Sequence, residues 1–383
     1  MASVAAASDG KERPKVLVLG GVGTIGRVFI QHLVEEGLCS KIRVVDKALP
    51  ITAYCSAEHE AVLQNEEAGV EFCQADLSKD AHVERAFTTD DGTPFDFVFN
   101  LAAETRYGLE EDVYKDKCLG LSTKCATAAK AMGVQRFVEV STGQVYASQS
   151  KVPAKEAAEL KPWTIFAKYK LLAEQELLAM EGLSVVILRL PFVYGRADTN
   201  GLMPRIVTAA AYKQLGETMK FLWGSSMKIN TVHVTDVVRA LWHCATSSAV
   251  TAGSTFNVVD KGDTDQGKIS AILGKVFGIK TGFHGKIVSN LARMRLGDAV
   301  DQANEKHLEP WHSLLAKRDV GSTPLTPYMH KELLANRHLY MDGSAIEATG
   351  FSYTHPGGPT EALIRDEIEY AVSQGIFPGG MLA

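Results

Sequence analysis

The stretch Val16-Leu-Val-Leu-Gly20-Gly-Val-Gly23-Thr-Ile-Gly26 decides the fold of this chain. Its apolar start is typical of a strand buried on both faces, as in a parallel sheet. The three spaced glycines then allow a tight turn, a close approach of bare backbone to a pyrophosphate, and close packing of the next helix. A helical pattern begins at Ile25, and Gly37 is placed to end it. This context favours a dinucleotide site over a plain glycine turn.

Composition narrows the class of protein. The chain has 383 residues, 46% of them hydrophobic and 22% charged, and a formal charge of −5, which offers no basic surface for nucleic acid. No run approaches the ~18 apolar residues of a membrane span. Residues 1–14 are small and polar, so we predict the disordered tail of a cytoplasmic protein and no signal peptide. The six cysteines and the histidines are scattered, which indicates a reducing compartment and no metal site.

A carboxylate follows the second predicted strand. Ile42-Arg-Val-Val-Asp46 ends twenty residues beyond Gly26, where a dinucleotide-binding sheet holds the adenosine ribose. An acidic side chain accepts the ribose hydroxyls of NAD and repels the 2′-phosphate of NADP. Asp46 therefore predicts NAD, although the adjacent Lys47 weakens the discrimination. The alternative is a surface aspartate that closes a strand.

Predicted strands and helices alternate along the first half of the chain. Further strands are predicted from Val70, Phe95, Phe137 and Ser184, and the segments from Thr231 and Phe256 return to the sheet pattern. This rhythm predicts an α/β fold, a Rossmann-type doubly wound parallel sheet of about seven strands with a smaller, mostly helical C-terminal substrate lobe. We expect residues 15–190 to form the nucleotide-binding domain together with 231–259. Residues 191–230 and 260–383 would form the smaller lobe.

Further motifs follow in a fixed order: Asp76-Leu77, Leu101-Ala-Ala103, Ser141-Thr142, Arg189-Leu-Pro191-Phe-Val193 and Val232-His-Val-Thr-Asp236. With them the chain resembles the extended short-chain dehydrogenases/reductases, in the NAD-dependent epimerase/dehydratase group. The resemblance implies a homodimer through helices near 110–130 and 164–181, and a small-molecule substrate. It also implies that NAD crosses the strand ends and contacts Gly20, Gly23, Thr24, Ile25, Gly26, Asp46, Asp76, Leu77, Leu101, Ala102, Ala103, Lys170, Pro191 and Val193.

The catalytic signature of the family is only partly present. The family reads Pro-x-x-x-Tyr-x-x-Ser-Lys-x-x-x-Glu, and this chain has Phe166 at the tyrosine position, Tyr169 at the serine position and Lys170 at the lysine position. In the family the tyrosine phenol moves the proton, the lysine lowers its pKa, and a Ser or Thr holds the substrate oxygen. The resemblance therefore assigns the last two roles to Lys170 and Thr142.

Phe166 has no proton to give, so another phenol is needed. Tyr169 lies three residues further along the same helix and shares roughly the same face, which predicts it as the replacement acid/base. A purely structural role of Tyr169 is the alternative. Tyr146 and Tyr194 are weaker substitutes.

Other departures concern the substrate. Sugar-nucleotide enzymes of the group carry an asparagine and an arginine that touch the substrate diphosphate, and here Phe192 and Ile229 stand at those places. Lys228 is adjacent to Ile229 and is a possible compensating cation. Dehydratases follow the threonine with Asp-Glu, whereas Thr142 is followed by Gly143-Gln144, and Lys117 replaces a family asparagine. These changes disfavour a nucleotide-sugar substrate and a dehydration.

Two functions remain open from the sequence. The first is an NAD-dependent oxidoreductase or isomerase that acts on a hydroxyl or carbonyl of a small molecule other than a nucleotide sugar, despite Phe166. The second is a catalytically inactive NAD(H)-binding protein with a structural or redox-sensing role.

Overall fold

The computed structural model describes residues 13–383, so the predicted tail at 1–14 lies outside it except for its last two residues. Its strands are β1 (Lys15–Leu19), β2 (Lys41–Asp46), β3 (Val70–Gln74), β4 (Phe97–Asn100), β5 (Arg136–Thr142), β6 (Val185–Leu190), β7 (Phe192–Tyr194), β8 (Met219–Phe221), β9 (Thr231–His233), β10 (Thr255–Asn257) and β11 (Thr281–Phe283).

The first seven α-helices are α1 (Thr24–Glu35), α2 (Ala57–Leu63), α3 (Asp80–Phe87), α4 (Glu111–Tyr114), α5 (Leu121–Met132), α6 (Ile165–Leu178) and α7 (Met203–Leu215). The next seven are α8 (Val234–Thr246), α9 (Gln266–Phe277), α10 (Lys286–Met294), α11 (Leu296–Lys317), α12 (Lys331–Leu334), α13 (Ser344–Glu347) and α14 (Glu361–Ser373). A π-helical turn, Lys115–Gly120, joins α4 to α5. Within residues 13–383, every helix is too short or too polar to cross a bilayer.

Seven parallel strands form the main sheet in the order β10-β6-β5-β4-β1-β2-β3. The order reverses at β1, which pairs with β2 on one side and β4 on the other. A crevice for ligand opens at such a reversal, beyond the carboxyl ends of the strands. The predicted fold class, a Rossmann-type sheet of seven strands with a helical C-terminal region, is confirmed.

The main sheet is buried on both faces. Along β1, Val16 and Val18 face the layer that contains α1 and α8, whereas Leu17 and Leu19 face the layer that contains α3 and α5. All four side chains have no solvent exposure. This double burial explains why the strand is a continuous apolar run with no polar alternation.

The C-terminal region has a hydrophobic core of its own, contributed mainly by α7, α9, α11 and α14. However, Ile346 and Phe351 pack into the core beside the main sheet, against α8. The last part of the chain therefore contributes to both cores. The division at 190, 231 and 260 stays a prediction.

The prediction for the segment from Thr231 is wrong in part. Only Thr231–His233 is a strand, and it pairs with β7 in a separate two-stranded sheet. The rest of the segment is α8, whose first turn is capped by the His233 side chain, which accepts a hydrogen bond from Thr235 N at 3.3 Å. Val234, Val237, Val238 and Leu241 are spaced for one helical face, and burial of that face outweighs the β-propensity of valine.

A buried carboxyl next to β10 makes stability depend on pH. Asp260 accepts hydrogen bonds from Thr231 Oγ1 at 2.7 Å and Gly262 N at 2.9 Å, and burial raises its pKa from 3.8 to about 7. The folded state thus favours the neutral acid. Its contribution to stability is full below pH ~4 and is lost as the pH rises towards 7.

We expect Asp260→Asn to remove the loss of stability that ionisation of Asp260 causes, because asparagine resembles the neutral acid. Urea unfolding at pH 5 and pH 8 should show that the variant loses less stability than the wild type over this interval, by on the order of 2 kcal/mol. An equal loss in both proteins would contradict the assignment.

Candidate functional site

The glycine loop between β1 and α1 leaves no room for side chains. Gly20 has φ +80, and a Cβ there would lie 2.7 Å from Ala102 N. A Cβ at Gly26 would lie 2.4 Å from Gly20 O. The bare backbone at the N-terminus of α1 therefore faces the crevice, as binding of a pyrophosphate requires.

Asp46 closes β2 beside this loop. Its Oδ2 accepts a hydrogen bond from Val22 N at 3.2 Å, and its Oδ1 accepts one from Ala48 N at 3.0 Å. The neighbouring Lys47 directs its Nζ towards Glu104 Oε2, 3.8 Å away. Lys47, the cation that weakened the prediction of NAD over NADP, thus lies beside the Glu104 carboxylate.

A cavity of about 510 Å³ extends from the glycine loop across the ends of β4, β5 and β6. It connects Asp46 at the end of β2, the residue predicted to bind the adenosine ribose, with Lys170 of α6. All of the residues predicted to contact NAD line it, namely Gly20, Gly23, Thr24, Ile25, Gly26, Asp46, Asp76, Leu77, Leu101, Ala102, Ala103, Lys170, Pro191 and Val193.

Lys170 lies at the end of this cavity away from the glycine loop and forms an ion pair with a residue of β5. Its Nζ forms an ion pair with the carboxylate of Glu139 on β5, and the two residues are 2% and 0% exposed. Asn100 Nδ2 and Ser122 Oγ also donate to Glu139, at 2.6 and 3.0 Å. A fully hydrogen-bonded carboxylate therefore fixes the ammonium at the cavity wall. The sequence analysis missed Glu139, whose signal was an acidic residue inside an otherwise apolar strand.

Thr142, the other residue with a family role, ends β5 in the same cavity. Its Oγ1 accepts a hydrogen bond from Gln144 N at 3.2 Å, so its hydroxyl hydrogen can be donated to a substrate oxygen. The neighbouring Ser141 instead donates to Glu174, which pairs with Arg189 at 2.6 Å. Thr142 and Lys170 thus line the same cavity.

The structure places the Tyr169 phenol elsewhere. Its hydroxyl donates to Glu111 Oε1 at 3.1 Å, next to the ion pair of Glu111 with Lys168. Among the described residues that line the cavity, Tyr169 is absent. The replacement role predicted for Tyr169 does not fit this geometry, because three residues of helix turn the side chain about 60° away from position 166 and towards α4.

Two other tyrosines of the sequence prediction are also turned away from the cavity. The Tyr146 hydroxyl donates to Asn257 Oδ1 at 2.7 Å and accepts from Arg189 Nη1 at 2.8 Å. Tyr194 is fully buried, with its ring 5.1 Å from that of His233. Neither residue lines the cavity within the described part of the chain.

A phenol that the sequence analysis missed stands beside Phe166. Tyr107, in the loop after β4, lines the cavity, and its ring centroid is 6.2 Å from that of Phe166. Its hydroxyl accepts a hydrogen bond from Gln144 Nε2 at 2.8 Å, while Gln144 Oε1 accepts one from Thr164 Oγ1 at 2.9 Å. The phenolic hydrogen of Tyr107 is therefore left for a ligand. Burial raises the pKa of this phenol to about 12.

The sequence analysis matched Phe192 and Ile229 to the family's diphosphate contacts and Lys228 to a compensating cation. Phe192 lines the cavity, and Ile229 is buried. The Lys228 ammonium lies 2.5 Å from Asp263 Oδ2 and is not among the described residues of the cavity wall.

A second cavity of about 740 Å³ lies in the C-terminal region, between α7, β8, α10 and α11. It shares one lining residue with the first cavity, and one further side-chain contact joins their walls. Leu333 lines both cavities, and Arg205 in the wall of the second stacks on Phe192 in the wall of the first, with Cζ 5.1 Å from the ring centroid. Together the two cavities offer room for a cofactor and a substrate.

Comparison with known proteins agrees with this architecture. An uncharacterised protein of Sinorhizobium fredii is 24% identical over 336 residues, which are 86% of this chain and 72% of that protein. The human dTDP-D-glucose 4,6-dehydratase is 24% identical over 311 residues, 78% of this chain and 77% of the enzyme.

Two solved structures share the fold at low identity. The UDP-N-acetylglucosamine 4-epimerase from Methanobrevibacter ruminantium M1, in complex with UDP-N-acetylmuramic acid, has a TM-score of 0.67 at 19% identity and covers 95% of this chain and 100% of its own. The dTDP-glucose 4,6-dehydratase from Streptomyces venezuelae, with NAD and TYD bound, has a TM-score of 0.67 at 18% identity and covers 94% and 97%.

Residues 16–258 match the model of the NAD dependent epimerase/dehydratase family, which is more than half of the chain. The glycine loop and Asp46 lie within this match. The protein therefore belongs to the NAD-dependent epimerase/dehydratase family of extended short-chain dehydrogenases/reductases, and its cofactor is NAD.

Proposed function

We propose that this protein is an NAD(H)-dependent oxidoreductase that reduces the carbonyl of a small molecule other than a nucleotide sugar. The observation that carries the proposal is the Tyr107 phenol, which stands beside Phe166 in the same cavity as Thr142 and Lys170. The glycine cradle and Asp46 fit the cofactor at the other end of that cavity.

The proposed roles follow from the hydrogen bonds that are left open. When bound, NADH supplies the hydride for the carbonyl carbon. Thr142 and Tyr107 each have a hydroxyl hydrogen free to donate, so both can hold the carbonyl oxygen. As the hydride arrives, that oxygen becomes basic and takes the proton of the Tyr107 phenol, which later recovers one from water.

The ion pair of Lys170 with Glu139 leaves Tyr107 suited to donate a proton, as the reduction of a carbonyl requires. In the family the lysine charge makes the phenol acidic, but the charge of Lys170 is matched by Glu139. Tyr107, with a pKa of about 12, stays protonated at neutral pH and is suited to donate a proton. Lys170 keeps two other ammonium hydrogens, with which it can hold the cofactor ribose.

The apolar replacements support a substrate without a nucleotide diphosphate. The UDP-sugar and dTDP-sugar enzymes that share the fold suggest the opposite class. In this chain, however, Phe192 and Ile229 offer no donor to a diphosphate, and Lys228 is held by Asp263.

The proposal is tested by following NADH oxidation with a panel of apolar aldehydes and ketones. In a separate arm UDP-glucose is incubated with NAD and its products are separated by chromatography, because epimerisation or dehydration of this compound consumes no NADH. We expect turnover of at least one carbonyl compound and none of UDP-glucose. Tyr107→Phe should lower kcat about 100-fold, because general-acid catalysis typically contributes that much or more. The matched control Tyr169→Phe should leave kcat unchanged, because its hydroxyl contacts Glu111.

The second candidate, an NAD(H)-binding protein without turnover, is favoured by Phe166 itself. It predicts NADH binding, no reaction with any carbonyl compound, and a slow activity that appears in Phe166→Tyr. This result would replace the first proposal. Equal kcat in Tyr107→Phe and wild type would remove Tyr107 from the mechanism.

We also propose that the protein is cytoplasmic and that it forms a homodimer. All six cysteines are free thiols, which supports a reducing, cytoplasmic environment. A homodimer would use the helices near 110–130 and 164–181, here α4 to α6.

A further inference from the structure

We infer that the cavity of about 740 Å³ holds the body of the substrate, and that Arg205 binds an oxyanion, a carboxylate or a phosphate, carried by that body. The inference rests on the proposed function, because it deepens the account of the same substrate. It starts from Arg205, a cation that no carboxylate within residues 13–383 neutralises.

Arg205 is a partly buried guanidinium without a counter-charge. It projects from the first turn of α7 into the cavity wall. Within residues 13–383 its side chain forms no salt bridge and no hydrogen bond, and its one close partner is the ring of Phe192. Burial alone lowers its pKa, to about 10, so it stays charged at neutral pH.

Two other cations of this cavity are already paired with carboxylates. Lys306 pairs with Glu217 at 2.5 Å, and Arg295 lies 3.9 Å from Asp298. These two carboxylates are the acidic residues in the described wall of the cavity. Arg205 therefore adds an uncompensated positive charge, as does Lys220 at the exposed rim.

A partly buried cation without a counter-charge loses some of its hydration, and a ligand that supplies an anion offsets this loss. The five donors of a guanidinium match the two oxygens of a carboxylate or a phosphate. The rest of the wall is largely aromatic and apolar, with Tyr212, Phe221 and Trp223. The ligand that fits this wall is an apolar or aromatic body with one oxyanion.

The position of Arg205 connects this site to the chemistry. Its guanidinium lies over the ring of Phe192, and Phe192 lines the cavity that contains Thr142 and Lys170. A substrate anchored on Arg205 can thus extend past Phe192 towards the reacting end. Phe192 itself offers the substrate an apolar surface and holds the Arg205 guanidinium by a cation–π contact.

The test uses two fluorescent probes that differ mainly in one anionic group. These are 8-anilino-1-naphthalenesulfonate and N-phenyl-1-naphthylamine, titrated into the full chain with saturating NAD so that the cofactor site is filled. We expect wild type to bind the sulfonate more tightly than the neutral probe. Arg205→Met should weaken the sulfonate about tenfold or more and leave the neutral probe unchanged, because a charge-assisted hydrogen bond is lost.

Two controls keep this result specific. Arg205→Lys should recover part of the affinity for the sulfonate, and Lys220→Met, at the exposed rim, should change it less than threefold. Unchanged NADH affinity and circular dichroism in Arg205→Met would show that the variant is folded. Equal sulfonate affinity in Arg205→Met and wild type would overturn the inference.

Competition distinguishes the source of the anion. Displacement of the sulfonate by laurate or benzoate, lost in Arg205→Met, supports the site and the proposed substrate class. Displacement by UDP, also lost in Arg205→Met, supports the anion site but contradicts the proposal that the substrate is not a nucleotide. Neither outcome depends on turnover, so failure of the catalytic proposal is seen separately.

Discussion

Replacing Lys170 by methionine is expected to lower the free energy of unfolding by roughly 3–5 kcal/mol and to abolish measurable turnover. Lys170 and Glu139 form an ion pair with almost no solvent exposure. Without the ammonium, the Glu139 carboxylate would remain buried with two neutral donors, Asn100 and Ser122. A buried charge without its counter-charge is one of the most destabilising defects in a protein interior.

The measurement is urea unfolding of the wild type, Lys170→Met, and the double variant Lys170→Met with Glu139→Gln. The double variant should recover most of the lost stability, because glutamine removes the charge, its amide oxygen still accepts one hydrogen bond, and the Ser122 hydroxyl can accept one from its amide nitrogen. It should not recover turnover, because it still lacks the ammonium that we propose holds the cofactor ribose. A single variant within about 1 kcal/mol of wild type would contradict the account.

The second large effect concerns the glycine loop. Gly26→Ala is expected to weaken NADH binding at least 100-fold, since the added Cβ would lie 2.4 Å from Gly20 O and 2.7 Å from Gly21 backbone atoms. Backbone cannot give way as a side chain can, so α1 must shift away from the loop. A displacement of this kind removes the close fit of backbone N–H groups to a pyrophosphate.

The comparison uses NADH titration and circular dichroism. Gly297→Ala is the matched control, because a Cβ at this position in α11 meets nothing within 4 Å, and its NADH affinity should equal that of wild type. Gly23→Ala should give an intermediate loss, because its Cβ lies 3.3 Å from Gly20 O. Wild-type affinity in folded Gly26→Ala would show that the loop does not hold the cofactor.

The cofactor half of the site could be predicted from the sequence because its signals are local. Most of the contacts predicted for NAD lie at or just after the end of a strand, and parallel strands bring their ends to one edge of the sheet. Gly20, Asp46 and Thr142 could therefore be placed without knowledge of the side-chain packing. The structure brings all of the predicted cofactor contacts into one cavity.

The reacting half could not be predicted in the same way. Tyr107 is held in the cavity by a contact with Gln144, 37 residues away in the sequence, whose Nε2 donates to the phenol oxygen. Tyr169 leaves the cavity because α4 presents Glu111 to it, 58 residues away in the sequence. Helical spacing alone carries neither kind of information.

The substrate cavity depends on still more distant parts of the chain. Its walls come from segments between 205 and 334, and Arg205 has no local motif that marks it as unpaired. Its lack of a partner follows from the positions of Glu217 and Asp298, which pair with other cations. The missing carboxylate partner of Arg205 can be recognised only once the fold is known.

The central claim is that the cavity beyond β1, β2 and β4 binds NADH and that Asp46 selects it over NADPH. The most direct measurement is a fluorescence titration of the wild-type chain with each cofactor. The account predicts saturable binding of NADH and binding of NADPH at least tenfold weaker, because the Asp46 carboxylate repels the 2′-phosphate. A signal for NADH that does not saturate, or equal affinity for both cofactors, would contradict it.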